Sequence, residues 1–443
     1  MEISLQAILE AREKRAQKQT QMLAQYRKTL LCFTMNIAGP EKNSVRITQG
    51  FLLGNSLLRE RLAQADISVV AHEIYLEDTG CEAFYVLNAQ PETVKRLTVE
   101  IEDRSSGGRL YDMDVLGPDG SKMDRTALQL PERKCLLCGN SARLCGRSRS
   151  HTVQELQEKT TQLLCEALRE RISELAVRSL LCELYTTPKP GLVDQRNSGS
   201  HRDMDLFTFL SSSAALWNYF RKCAQIGITT RELPATEVFQ QLRTAGVQAD
   251  EDMLRATGGI NTHKGAIFTL GLLCGAAGRV AFLPGSKPGD IASVCACMTA
   301  GLTERDYHGV TAENAVTVGQ RLFALHGITG ARGQAEAGFP AVTEIGLRVL
   351  EQGVARGLSL NDAGCGALLA ILASTTDTNM IARSDLQTQH TVSAQIAKLL
   401  QKEPYPGKET LEKLDDWFIQ KNLSPGGSAD LLAATYFLYF VTR

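Results

Sequence analysis

The chain has no excess charge of either sign: 48 lysines and arginines stand against 49 aspartates and glutamates, a net charge of −1. A nucleic-acid backbone would find no bulk basic field to hold it, and no basic-aromatic surface pattern is present, so no nucleic acid partner is expected. Long apolar runs are missing too. The longest late one, Leu431 to Val441, is too short to span a bilayer, and no membrane partner is expected. The first residues, Met1-Glu2-Ile3-Ser4 followed by charges through Arg15, lack the pattern of a secretory signal. Twelve cysteines are scattered, most inside apolar helical runs such as those around Cys165, Cys182, Cys274, Cys295 and Cys297. Cysteines placed so act as small core residues, which suits a reducing compartment, and the expected location is cytoplasmic.

At 443 residues the chain is too long for one ordinary core. Up to about residue 150 the patterns are mixed. Ser4 to Tyr26 reads as a helix. Thr29–Ala38, Ile67–Leu76, Ala83–Leu87 and Arg109–Leu116 read as strands, with short helices at Ser56–Ala65 and Glu92–Glu100. This order predicts an α+β domain over 1–155. From Val153 the period becomes helical for some thirty residues until Pro188 stops it. Further helical stretches follow at Asp205–Ala224, Thr236–Ala256, His263–Ala277, Ala312–His326, Asp362–Ser374, Val392–Gln401 and Ala429–Phe440. They predict a larger all-α domain over 156–443. No Gly/Ser-rich linker separates the two.

The loops of the helical half hold the unusual residues. Thr187 to Asp205 carries two prolines and two glycines, which fix a non-helical path, together with Lys189, Asp194, His201, Arg202, Asp203 and Asp205. Charges this dense must meet one another, a metal or a charged ligand, or else be solvated. Gly258-Gly259-Ile260-Asn261-Thr262-His263-Lys264-Gly265 opens a helix where free N–H groups suit phosphate, but it lacks the Gly-Lys-Ser/Thr of a Walker A loop. Gly330 to Glu336, with Arg332, Asp377 to Arg383, and Ser424-Pro425-Gly426-Gly427-Ser428-Ala429-Asp430 repeat the theme. Each alone is an ordinary capping segment. Their recurrence on one scaffold points to a nucleotide or polyphosphate site.

In the first domain, Asp112 and Asp114 lie two apart in a strand and so share a face. Two close carboxylates either repel or share a divalent cation, and Asp-x-Asp on a strand is a Mg²⁺ platform for nucleotidyl transfer; two solvated aspartates at a strand end are the plain alternative. Cys135, Cys138, Cys145 and His151 have the residue types of a Cys₃His zinc site, although Leu136 and Leu137 also suit a buried turn. Five basic residues between Arg133 and Arg149, with no acid among them, make a local positive patch for phosphates or an acidic protein.

The helical-half blocks, in order and content, resemble the triphosphoribosyl-dephospho-coenzyme A synthase family over about residues 160–443. Gly108 to Val115 and Arg133 to Cys145 resemble the holo-citrate lyase synthases, the apo-citrate lyase phosphoribosyl-dephospho-CoA transferases, over about 25–155. The resemblance implies a bifunctional transferase with ATP and 3′-dephospho-CoA as substrates, adenine and pyrophosphate as leaving groups, Mg²⁺ as cofactor, and the apo-acyl carrier (gamma) subunit of citrate lyase as protein partner. On that footing Asp203 and Asp205 are the candidates for metal or general-base work, with Asp194 next, and His201 is an acid or orienting group. Lys189, Arg202, Asn261, His263, Lys264, Arg332, Asp377, Arg383, Gly426 and Gly427 are expected at the triphosphate or nucleotide. Asp112 and Asp114 would hold Mg²⁺, and Arg109 would contact phosphate. Nucleotidyltransferases place a Gly-Ser turn farther upstream of Asp-x-Asp than Ser105-Ser106-Gly107-Gly108 stands here, and this bears on a nucleotidyltransferase-like fold. The alternatives are the equivalent pathway for malonate decarboxylase and a non-catalytic nucleotide-binding regulator.

Overall fold

A computed structural model of the chain describes residues 3–442 and divides into two compact units. One ends at Leu168 and includes Phe282–Gly285; the other runs from Arg169 to the end. Among the described residues no helix is long and apolar enough to cross a membrane.

The first unit is an α+β fold. Its helices are α1 (Leu5–Tyr26), α2 (Val45–Gln64), α3 (Pro91–Arg104) and α4 (Ala142–Ser148), and its strands are β1 (Thr29–Met35), β2 (Val69–Glu77), β3 (Gly80–Leu87), β4 (Tyr111–Leu116) and β5 (Lys122–Met123). The strands form one sheet in the order β2-β3-β1-β4-β5, and every pairing is antiparallel. Alternation gives the sheet two faces. Leu31, Phe33, Tyr85, Tyr111, Met113 and Val115 pack against Phe51, Leu58 and Leu62 of α2 and Val94, Leu97 and Ile101 of α3. Leu30, Cys32, Phe84 and Val86 meet Met22, Leu23 and Tyr26 of α1 on the other side. Ser4 caps α1 by accepting the N–H of Ala7 through its side chain. Helix α2 starts eleven residues earlier than the Ser56 expected of it. Its first half holds Ile47 and Thr48, poor helix formers that burial overrides, behind an exposed Val45.

The second unit is all helix. The helix α5 (Val153–Tyr185) leads into α6 (Leu206–Ala215), α7 (Trp217–Thr229), α8 (Ala235–Ala256), α9 (Lys264–Val280), α10 (Pro288–Thr299), α11 (Leu302–Tyr307), α12 (Val318–His326) and α13 (Gly330–Glu336). After a π-helical turn at Ala341–Gly346 come α14 (Leu347–Ala355), α15 (Leu360–Ser374), α16 (Thr378–Arg383), α17 (Leu386–Lys402), α18 (Lys408–Gln420) and α19 (Gly426–Val441). The stretch Asp205–Ala224, expected as one helix, breaks at Leu216 into α6 and α7. The helix expected from Ala312 starts only at Val318. Helices α9, α15 and α19 are buried nearly all round and form the centre. Helix α7 presses on α9 so closely that a Cβ at Gly227 would lie 1.9 Å from the carbonyl oxygen of Gly275. The twelve cysteines are free thiols, and Cys297 on α10 is the exposed one.

Candidate functional site

The helical unit encloses a cavity of ≈ 870 Å³. The loops singled out in the sequence converge there: His201, Asn261, His263, Lys264, Asp377, Arg383, Gly426 and Gly427 all line it. Helices α9 and α19 begin at its wall.

Two carboxylates to which the sequence reading gave no role also line the cavity, Glu183 of α5 and Asp430, which closes the Ser424–Asp430 block on α19. Asp430 sits against the first turn of α9, where a Cβ at Gly265 would lie 1.9 Å from its Oδ2, and it accepts the N–H of Ala266. Burial, and then the charges of Glu183 and Asp377, push its carboxyl well above the usual range. Glu183 is buried with Lys189, whose ammonium reaches both the Glu183 carboxylate and its main-chain carbonyl. Burial raises the Glu183 carboxyl, and the Lys189 charge opposes that rise. A lone acid inside an apolar helical run, as in Leu181-Cys182-Glu183-Leu184 or Ala429-Asp430-Leu431-Leu432, was the available signal.

Asp377 is wholly buried. Its Oδ1 caps α16 by accepting the N–H groups of Asn379 and Met380, and its Oδ2 accepts from Ser428 of α19. Burial raises its carboxyl, and the Ser428 and Met380 N–H groups pull it back. Gly426 and Gly427, expected as a phosphate cradle, line the cavity while packing against this cap. A Cβ at 426 would lie 2.7 Å from the Asn379 side-chain nitrogen, and one at 427 would lie 3.2 Å from Asp377 Oδ2, so glycine makes room for the cap.

His263 is 3 % exposed, bonds Ser212 through Nδ1 at 2.7 Å, and has no partner for Nε2. Burial, with the Lys189 charge, lowers its pKa to about 3, so the ring is neutral. His201 bonds Ser424 Oγ through Nε2 at 2.9 Å and accepts from Arg383 at Nδ1, 3.0 Å. Because Arg383 can only donate, Nδ1 accepts and Nε2 carries the hydrogen. Burial and the Arg383 charge lower the His201 pKa. Lys264 stands at the rim, 3.5 Å from Asp250.

Several expected residues take other roles. Asp205 is the N-cap of α6, closing a capping box with Thr208, and Thr208 holds its exposed carboxylate below the usual range. Asp203 and Arg202 are exposed and do not line the cavity, so the charge crowding here is a solvated helix start. Asp194 is buried and organises its loop, accepting from Thr187 Oγ1 and from the N–H groups of Lys189, Arg196 and Asn197. Lys189 is spent on Glu183. Arg332 pairs with Asp306 at 2.7 Å, 5.4 Å over the Tyr307 ring, rather than reaching the cavity.

In the first unit Asp112 and Asp114 do share a face of β4, opposite Thr34 and Cys32 of β1. Asp112 pairs with Arg133 at 3.3 Å and Asp114 with Lys122 at 2.8 Å. Burial and then the Asp114 charge raise the Asp112 carboxyl, while Arg133 and Lys122 counter it. Asp112 also lines a ≈ 160 Å³ cavity with Arg12, Arg15 and Lys42. Arg109 does not face that cavity; it donates to the carbonyls of Lys134 and Cys135. Lys134, Arg143, Arg147 and Arg149 are exposed.

Comparison with known proteins matches residues 169–443 to the family model "ATP:dephospho-CoA triphosphoribosyl transferase" and residues 3–167 to "Apo-citrate lyase phosphoribosyl-dephospho-CoA transferase". A Haemophilus influenzae relative called Protein CitXG is 35% identical over 98% of this chain and 96% of its own length. A protein of the same name from Leuconostoc mesenteroides subsp. cremoris is 32% identical over 98% and 97%. The 2-(5''-triphosphoribosyl)-3'-dephosphocoenzyme-A synthase of Escherichia fergusonii is 40% identical over 60% of this chain and 89% of the relative.

Proposed function

The chain belongs to the family that joins an apo-citrate lyase phosphoribosyl-dephospho-CoA transferase to an ATP:dephospho-CoA triphosphoribosyl transferase, and from that membership we propose how its two sites divide the work. It is a bifunctional transferase. The C-terminal part converts ATP and 3′-dephospho-CoA to 2′-(5″-triphosphoribosyl)-3′-dephospho-CoA and adenine. The N-terminal part transfers the phosphoribosyl-dephospho-CoA group to apo-citrate lyase.

In the first reaction the bond from the ribose anomeric carbon to adenine breaks, and the 2′-hydroxyl oxygen of dephospho-CoA bonds to that carbon and loses its proton, so that one proton leaves the hydroxyl for each one adenine gains. Positive charge grows on the ribose, and adenine needs a proton as it leaves. Asp430, whose carboxyl burial pushes well above the usual range, is the donor in this reading. Glu183, paired with the Lys189 ammonium, faces the developing charge. Lys264 and Arg383 meet the triphosphate, which is retained, and His201 holds Arg383 in place. The observation that carries this reading is the convergence of five separated loops on one cavity with Asp430 and Glu183 in its wall. Chromatography of free adenine after incubation with ATP and dephospho-CoA tests it; an Asp430→Asn chain that releases adenine at the normal rate would remove Asp430 from the chemistry.

In the second reaction a serine oxygen of the acyl carrier (gamma) subunit attacks the α-phosphorus, and pyrophosphate leaves. Asp112 and Asp114, adjacent and half-buried on one face, fit a divalent cation, since each is now neutralised by a single side-chain cation. Mg²⁺ bound there supplies charge neutralisation of the phosphates. Arg133 and Lys122, already beside the carboxylates, are the phosphate contacts, in place of Arg109. The exposed Lys134, Arg143, Arg147 and Arg149 receive the carrier protein through its acidic surface. A nucleotidyltransferase-like fold for this unit rests on the Asp112/Asp114 pair alone, and a cytoplasmic location on the free thiols.

A further inference from the structure

The segment from Leu130 to Ser150 has almost no core of its own: beyond Cys135 and Cys145, every residue in it is half-buried or exposed. Its only helix is the seven-residue α4, and its only strand-like contact is the isolated bridge between Lys134 and Ser141. Such a segment needs a cross-link or a metal to hold one shape. It nevertheless brings four potential ligands together. The Sγ atoms of Cys135, Cys138 and Cys145 and a ring nitrogen of His151 all lie within 4.8 Å of one another.

Local backbone geometry explains the convergence. A tight hairpin runs from Arg133 to Ala142, closed by Cys135 N–H to Asn140 O at 2.7 Å and Ala142 N–H to Arg133 O at 2.9 Å. It carries Cys135 and Cys138 on its turn. Helix α4 then presents Cys145, and Ser150 N–H returns to Cys145 O at 3.2 Å, which delivers His151 to the same point. Cys138 and Cys145 are 3.4 Å apart, too far for a disulfide and close to the roughly 3.8 Å between two thiolates on one tetrahedral zinc. The Nε2 of His151 is buried and has no hydrogen-bond partner, a cost that a metal bond would remove. Spacing C-x₂-C, then a later Cys and a His, is that of closed structural zinc sites with nitrogen and sulfur ligands.

We propose that Cys135, Cys138, Cys145 and His151 bind one structural Zn²⁺ that fixes the Leu130–Ser150 segment against β4. The consequence reaches the phosphate site. Arg133, at the base of the hairpin, donates to Asp112 at 3.3 Å and to the carbonyl of Tyr111, and Arg109 grips the carbonyl of Cys135. The metal is thus a positioning element for Arg133, with no part in the bond-making steps.

The test uses the full chain, expressed with added zinc, freed of loose metal by passage over a chelating resin, and analysed by mass spectrometry for metal. The wild type and a Cys182→Ser control carry one zinc per chain, and Cys138→Ser/Cys145→Ser carries none. Cobalt exchanged into the wild type gives thiolate-to-cobalt charge-transfer absorption, and His151→Cys keeps the metal while changing that spectrum. Stripping the zinc slows transfer to the carrier and leaves adenine release unchanged. A wild-type chain without stoichiometric zinc, a double variant that keeps it, or a Cys138–Cys145 disulfide in protein prepared under reducing conditions overturns the proposal.

Discussion

Asp377 accepts both the main-chain N–H and the hydroxyl of Ser428, at 2.7 and 2.9 Å, so the first turn of α19 already meets a carboxyl group supplied by the protein itself. Its other oxygen caps α16, and one buried carboxylate thereby fastens two helix starts. Asp377→Ala leaves several buried N–H groups without an acceptor and is expected to cost on the order of 3 kcal/mol. Urea unfolding measures it; a loss below about 1 kcal/mol would show the clasp to be dispensable.

Asp430→Asn is expected to slow adenine release by about 10²–10⁴-fold, the usual contribution of a positioned acid. Asp203→Asn, at an exposed position, is expected to leave the rate unchanged. Equal effects from the two would contradict the placement of the chemistry at the cavity wall.

The two reactions are expected to separate by substitution. Asp112→Asn and Asp114→Asn abolish labelling of the carrier subunit, followed by mass spectrometry, while free adenine continues to accumulate from ATP and dephospho-CoA. Loss of both activities from either change would mean that the pair supports folding rather than phosphate chemistry.

His263 gives a pH dependence with a defined sign. Its folded pKa of about 3 lies below that of an unfolded histidine, so the unfolded chain binds the extra proton as pH falls. The ring's contribution to stability is intact above the unfolded value, near pH 6.5, and falls by roughly 1 kcal/mol per pH unit from there toward pH 3. His263→Gln removes this term. The difference in urea-unfolding stability between wild type and variant therefore shrinks from pH 7 to pH 5; a constant difference would show that His263 titrates normally.

Gly227→Ala places a methyl where the Gly275 carbonyl oxygen lies 1.9 Å away, backbone against backbone. Helices α7 and α9 must separate, at a cost of about 3 kcal/mol. Gly246→Ala, with its nearest neighbour at 3.5 Å, serves as the tolerated control in the same thermal melts. Indistinguishable melting of the two would mean that the helices can part freely.

Fold class was legible from periodicity. Helix α5 follows an apolar repeat that Pro188 ends, and β4 alternates cleanly around Asp112 and Asp114. The start of α2 was hidden because Ile47 and Thr48 are helical through burial, a tertiary effect invisible to local propensity. The break at Leu216 has no glycine or proline to announce it. At the site, the loops converge on one cavity, but Asp203 and Asp205 stand outside its lining. Charge density drew attention to Asp203 and Asp205, where water and a helix cap satisfy the charge. Glu183 and Asp430 stayed concealed among leucines and alanines, although isolation is what makes their desolvation expensive.

The distribution of thiols has a practical use. With Cys297 exposed on α10, Cys182 half-buried, and Cys223, Cys274, Cys295 and Cys365 buried, a maleimide dye added to the native protein will enter the helical unit first at Cys297. That gives a fluorescent reporter on this half without an engineered attachment point, and its anisotropy can follow carrier docking in real time.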